Sequence, residues 1–180
     1  DVQIMPHSLM EIIKTPLQIN PANSDVAFGD DSSSIHGPAI QLIIPAQPGE
    51  VSNFTVRTLT LNPIFSAESH NHPTGVEPYQ GAATGTGGWL RDIFMMRLGG
   101  IVIASAAGYC TGNLHIPGYE QPWEADGWTH PANLASPLDI MIQASNGASY
   151  YGNCFGVPII YGFTRACGLE SPDGEYRSWF

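Results

Sequence analysis

Apolar positions along the chain follow helical spacing in some stretches and alternation in others. In "PHSLMEIIKTPLQIN", Leu9, Ile12, Ile13 and Leu17 fall near helical spacing, and Ser8 with Glu11 forms the pattern of a capping box. Pro16 is expected to end or kink that helix, since it lacks an N–H and its ring meets the carbonyl one turn back. "NPANSDVAFGDDSSSIHG" reads as loop, with a short apolar stretch at Val26 to Phe28.

Strand patterns follow. "AIQLIIPA" reads as a strand, "QPGE" as a turn, and "NFTVRTLTLNP" as a second strand whose phase shifts before Leu59 and Leu61. "IFSAESHNH" predicts another strand running into a polar, glycine-rich stretch. "GTGGWLRDIFMMR" predicts a helix opened by its glycines, with Leu90, Ile93, Phe94 and Arg97 on one face. "GGIVIASAAGYC" reads as a buried strand entered through a glycine pair, and "GNLHIPGYEQPWEADGWTHPANLASP" as a long surface excursion. "LDIMIQASNGASYYGN" starts strand-like and turns helical near Ala144, with turn chemistry over Asn146 to Asn153; "VPIIYGFTRACG" reads as a strand. Strands and helices are interspersed without a repeat, so the class is α/β (α+β).

Composition narrows the function. A chain of 180 residues suits one domain or two small ones, and 43% apolar against 12% charged residues argues for a folded core. Six basic residues face sixteen acidic ones, for a net charge of −10. That leaves no cluster of Lys and Arg for a nucleic-acid footprint. A phosphorylated small molecule stays open, because backbone amides, one Arg or a metal suffice to hold it. Cys110, Cys154 and Cys167 make an odd count without a CxxC pair, which points to a reducing, cytoplasmic compartment. No apolar run reaches membrane-spanning length. An Asp at residue 1 and the ending "GEYRSWF" read as a piece excised from a longer polypeptide.

The chemistry concentrates in "ESHNHPTGVEPYQGAATGTGGWLRD", residues 68–92. If Glu68 to His72 is extended, Glu68, His70 and His72 share one face, with Ser69 and Asn71 on the other. A carboxylate and two imidazoles on one face can bind metal, move protons or recognise a polar ligand. A satisfied surface network would use the same residues. In "GAATGTGG", the amides of Gly85, Thr86 and Gly87 can approach a phosphate at the start of a helix, although close backbone packing is the commoner use of such a run. Neither a G-K-[ST] ending nor dinucleotide-type glycine spacing is present. Arg91 can hold a phosphate or carbonyl bidentately, and Asp92 can join Glu68 in binding Mg²⁺. His7, His36, His115 and His130 lie in loops and read as solvated. The four tryptophans read as core or interface aromatics, with "QPWEADGW" as a possible docking surface.

This long motif closely resembles the signature of the phosphoribosylformylglycinamidine synthase family, the amidotransferases of purine biosynthesis. "NSDVAFGDDSSSIHG", "GYCTGNLHIPGYEQPWE" and "ASNGASYYGNCFGVPIIYGFTRACG" resemble further segments of its long, single-chain form, so the likeness covers most of residues 8–179. It implies an α/β core like the N-terminal domain of aminoimidazole ribonucleotide synthetase, a mixed sheet with helices on one face, whose N-terminal halves pair through their sheets. The implied reaction is ATP-dependent amidation of formylglycinamide ribonucleotide with ammonia from glutamine, through an iminophosphate that ammonia attacks. By motif position, Glu68 and Asp92 are implied as Mg²⁺ ligands and His70 as the catalytic proton acceptor. Ser69, His70, Asn71, His72 and Arg91 are implied as substrate contacts. Asp31 stands where the family usually has Asn, Tyr150 where it usually has Asp, and "IFMMRLGG" follows the short form instead. An upstream S-E-H motif, an I-S-D-G-G motif and a glutaminase nucleophile motif are all missing from this sequence. The expectation is therefore a partial synthetase core, residues 1–180, that depends on the remaining domains of its parent chain and is inactive alone. The alternative is a non-catalytic homologue serving as a structural or assembly subunit.

Overall fold

The computed structural model describes residues 6–29, 31–96, 99–124 and 129–179. It divides into two compact units, Asp1–Ala67 and Glu68–Phe180. Arg97 and Trp128, both singled out from the sequence, lie outside the described residues.

The first unit opens with helix α1 (Leu9–Ile19), started by the capping box the sequence predicts. The Glu11 N–H donates to Ser8 Oγ at 3.2 Å, and the Ser8 N–H donates to Glu11 Oε2 at 2.7 Å. Of the two effects expected of Pro16, ending the helix does not occur. Its missing N–H removes one bond of the ladder, the one toward Ile12, but its own carbonyl still accepts from the Asn20 N–H at 2.9 Å and the helix runs on to Ile19. Strands β1 (Ser24–Val26) and β2 (Ser32–Ile35) form inside the stretch read as loop. Their polar sequences give no apolar alternation; pairing defines them, since β2 lies antiparallel to both β1 and β5 (Ile64–Ser66). Strands β3 (Ala39–Pro45) and β4 (Phe54–Thr60) form the expected hairpin, in register from Ala39 opposite Thr60 to Pro45 opposite Phe54. Its turn uses Gly49 at φ 86°, a conformation that glycine adopts without a Cβ penalty. None of the described residues from 6 to 67 is buried, and Ile43 is 72% exposed.

The second unit contains α2 (Asn71–Val76), α3 (Pro78–Phe94), β6 (Ser105–Thr111), α4 (Pro137–Cys154) and β7 (Ile159–Ala166), then a hairpin of β8 (Gly168–Glu170) and β9 (Tyr176–Ser178). Strands β6 and β7 pair in parallel, and α4 lies in the connection between them, as a parallel pair requires. Among the described residues the α/β class thus holds, with parallel and antiparallel pairing distributed over four small sheets. The core lies where α3 meets α4: Ala82, Ala144 and Ala148 pack together under Tyr109 of β6, and Leu90, Ile93 and Ile140 are also buried.

Three element boundaries differ from the sequence reading. Helix α3 starts at Pro78, well before the glycines, with proline in the first helical position where its missing N–H costs nothing. Helix α4 is helical from Pro137 onward, so the strand-like start and the turn over Asn146–Asn153 are both replaced. Ser136 caps it, accepting from the Asp139 N–H at 3.1 Å, and this Ser-Pro-x-Asp start outweighs the apparent alternation in "LDIMI". Strand β6 begins only at Ser105; Ile101 and Ile103 precede it and are exposed.

The α3–α4 contact is close because its residues are small. A methyl placed on Gly147 would lie 2.0 Å from the Tyr79 carbonyl oxygen, and one on Gly87 would lie 2.9 Å from the Tyr151 ring. Overpacking of this kind typically costs about 1–3 kcal/mol. Gly147→Ala is therefore expected to lower the unfolding free energy by about that amount, read by chemical denaturation. In the first unit, Asp25 accepts hydrogen bonds from Ser34 Oγ at 2.8 Å and Asn62 Nδ2 at 2.9 Å. These bonds, chiefly that from Ser34, hold its carboxyl below the usual range. The stabilisation is present above the unfolded carboxyl value of about 3.9 and is lost as pH falls through the lower folded value. Asp25→Asn should make stability less pH-dependent in that acid window, as read from thermal melts across pH.

Candidate active site

Strand β5 stops at Ser66 and α2 begins at Asn71, so the extended run expected over Glu68–His72 does not form. His70 is the N-cap of α2, with φ −140° and ψ 59°, and its carbonyl accepts a hydrogen bond from the Thr74 hydroxyl. His72 falls in the first turn of α2, is exposed, and its N–H donates to Asn71 Oδ1 at 2.8 Å. The shared face of Glu68, His70 and His72 is thereby lost: the chain turns into a helix, and helical spacing separates what alternation would have aligned.

The glycine-rich run needs a second correction. Gly85, Thr86 and Gly87 lie inside α3, where backbone N–H groups are committed to carbonyls one turn back. The Thr86 hydroxyl likewise donates to the Ala82 carbonyl at 3.0 Å. Those amides are not available to cradle a phosphate. The glycines serve close approach instead. A methyl on Gly81 would lie 2.5 Å from the Thr74 backbone, and one on Gly85 would lie 2.8 Å from His70 Cβ. Gly88 is looser, with Glu68 Cδ at 3.7 Å and Arg91 Nη2 at 3.9 Å from the same added methyl. Gly85, Gly88 and Asp92 follow one another at helical spacing along α3. The segment from Glu68 to His70 therefore lies along a bare stripe of the helix, and Asp92 follows one turn beyond the Glu68 contact.

A cavity of about 670 Å³ opens beside this stripe. Glu68, Ser69, His70 and Asn71 line one side of it, α3 contributes Gly85, Thr86 and Trp89, and β6 contributes Tyr109 and Thr111. His72, Gly87, Arg91 and Asp92 are not among the lining residues. His70 Nδ1 is buried without a hydrogen-bond partner. Tyr109, whose hydroxyl donates to the Ala144 carbonyl at 3.4 Å, has its phenol pushed up by burial. Tyr109, Thr111 and Ser178 were not singled out from the sequence, and Trp89 and Trp179, read there as core or interface aromatics, line the cavity instead. For β6, alternation was the available signal, since Ser105, Ala107, Tyr109 and Thr111 share one face of the strand. Tyr150 lies on α4 at 57% exposure, with its ring 5.8 Å from that of Tyr79, and does not line the cavity. His130 is not simply solvated: its Nε2 lies 2.8 Å from the Ala135 carbonyl oxygen.

Among the described residues, no group of three or more His, Cys, Asp or Glu converges as a metal cage. Two carboxylates along one helix stripe are a donor set suited to Mg²⁺, which commonly takes one or two protein carboxylates and completes its sphere with phosphate oxygens and waters. No described helix is long and apolar enough to cross a membrane.

Comparison with known proteins places these residues in context. Residues 56–176 match the family model described as AIR synthase related protein, N-terminal domain. Over 179 residues, 99% of this chain, the sequence is 49% identical to phosphoribosylformylglycinamidine synthase of Dictyostelium discoideum. It is 46% identical over the same length to the Homo sapiens protein of that name. It is also 46% identical to a probable phosphoribosylformylglycinamidine synthase, chloroplastic/mitochondrial, of Arabidopsis thaliana. The chain spans 13% of the length of each of these relatives. On the match from residue 56 to residue 176, the chain belongs to the AIR synthase related protein family, through that family's N-terminal domain.

Proposed function

We propose that this chain is the substrate- and metal-binding half of a synthetase core in an ATP-dependent C–N ligase of purine biosynthesis. Its reaction would convert formylglycinamide ribonucleotide to formylglycinamidine ribonucleotide with ammonia derived from glutamine. The observation that carries this reading is the assembly of Glu68, Ser69, His70 and Asn71 along one cavity, with His70 packed against the bare stripe of α3. Support also comes from relatives named phosphoribosylformylglycinamidine synthase, at 46–49% identity over nearly the whole chain.

His70 is the proton acceptor in this reading. Ammonia attacking an activated amide carbon acquires a positive nitrogen and must lose a proton as the C–N bond forms, and a neutral imidazole accepts it. Ser69 and Asn71 offer hydroxyl and amide groups for the ribonucleotide at the cavity wall. Arg91 and His72, outside that wall, would meet the substrate's phosphate from the neighbouring surface. Glu68 and Asp92 would hold Mg²⁺, which when bound with ATP offsets the charge building on the transferred phosphoryl group. Glutamine hydrolysis and the rest of the active site belong to other domains of the parent chain. The proposed setting is cytoplasmic, although one relative's name gives chloroplast or mitochondrion.

Two outcomes test the proposal. In the intact enzyme, His70→Gln should lower kcat by at least about 100-fold, the usual scale for removing a general base, with the melting temperature preserved. Wild-type turnover in that variant would leave the alternative, a non-catalytic assembly subunit, as the better reading. The isolated 180-residue chain should release no ADP above background when given MgATP, formylglycinamide ribonucleotide and ammonium. Steady ADP release that depends on the ribonucleotide would show that no other domain is needed.

A further inference from the structure

We infer that Gly85 is a positioning residue for His70, and that its missing side chain sets where the imidazole lies. The inference rests on the reading of His70 as proton acceptor. Gly85 lies in the middle of α3, where glycine lowers helix stability. Its φ is not in the left-handed region, so the backbone makes no demand for glycine there. The demand comes from the neighbour. A methyl on Gly85 would lie 2.8 Å from His70 Cβ, 3.2 Å from Cγ and 3.7 Å from Nδ1.

The two shortest of these contacts are to the root of the side chain. Rotating the ring about its Cβ–Cγ bond would not relieve them, so the whole side chain or its backbone would have to move. The backbone is held in turn, because the His70 carbonyl accepts the Thr74 hydroxyl and the residue caps α2. The same packing buries Nδ1 without a partner. With Nδ1 closed off, Nε2 is the ring nitrogen through which His70 exchanges a proton. Gly85 thus acts through His70, and Gly85→Ala acts on the position of the proton acceptor.

The test uses the intact enzyme with Gly85→Ala, His70→Gln and, as a control on an exposed position of the same helix, Thr84→Ala. For Gly85→Ala, kcat should fall by about 100-fold, the scale of an ångström-level misplacement, with KM for the ribonucleotide little changed. Carbethoxylation of His70 by diethyl pyrocarbonate, read by peptide mass spectrometry, should speed up several-fold while that of His36 stays constant. Thr84→Ala should match the wild type in each readout.

If His70→Gln loses turnover while Gly85→Ala keeps the wild-type kcat and modification rate, the inference is overturned and the proton-acceptor reading stands. If His70→Gln keeps full turnover, the proton-acceptor reading fails and the inference fails with it. Should Gly85→Ala unfold too readily for kinetics, its loss of melting temperature is compared with and without His70→Gly. The loss should disappear when the side chain at 70 is gone; an undiminished loss overturns the inference.

Discussion

The second unit depends on how closely two helices can approach. Helix α3 carries Gly81, Ala82, Gly85 and Gly87, while α4 carries Ala144, Gly147 and Ala148. At Gly147 the room for a methyl is already occupied by the Tyr79 carbonyl. Each glycine inside a helix costs about 1 kcal/mol relative to alanine, so neither helix draws its stability from local propensity. Dense packing along the contact compensates, with Ala144 wholly inaccessible to solvent.

The same feature serves the site. The residues that leave α3 bare toward α4 continue around the helix as the stripe that receives Glu68 and His70. Packing and chemistry therefore share one sequence run, and a helix that is poor in isolation becomes a shaped wall. The cavity beside it is completed by β6, whose Tyr109 links the wall back to the Ala144 carbonyl of α4. Core and cavity meet at that tyrosine: its body packs on the alanine cluster, and its hydroxyl finds a backbone acceptor.

The first unit is built on other terms. Its sheets are held by backbone pairing and by short side-chain bonds such as Asp25 to Ser34 and Asn62. None of its described residues is buried, and Phe54 and Val56 remain more than half exposed. A two-stranded sheet buries little by itself, so the alternation of β4 marks a face with an apolar character that this unit alone does not cover.

Local patterns were enough to determine several elements. The capping box fixed the start of α1, alternation and a turn glycine fixed the β3–β4 hairpin, and the motif at residues 68–92 pointed to the family. Those features depend on neighbours close in the chain. Other features were decided only by tertiary structure: that His70 and His72 part company, that the glycines lie inside a helix, and that Tyr109 and Trp89 join the cavity. A run of glycines permits either a phosphate loop or close helix packing, and only the partner that fills the space selects between them. Here the partners are Pro73, Thr74, His70 and Tyr151, none of which glycine spacing can specify.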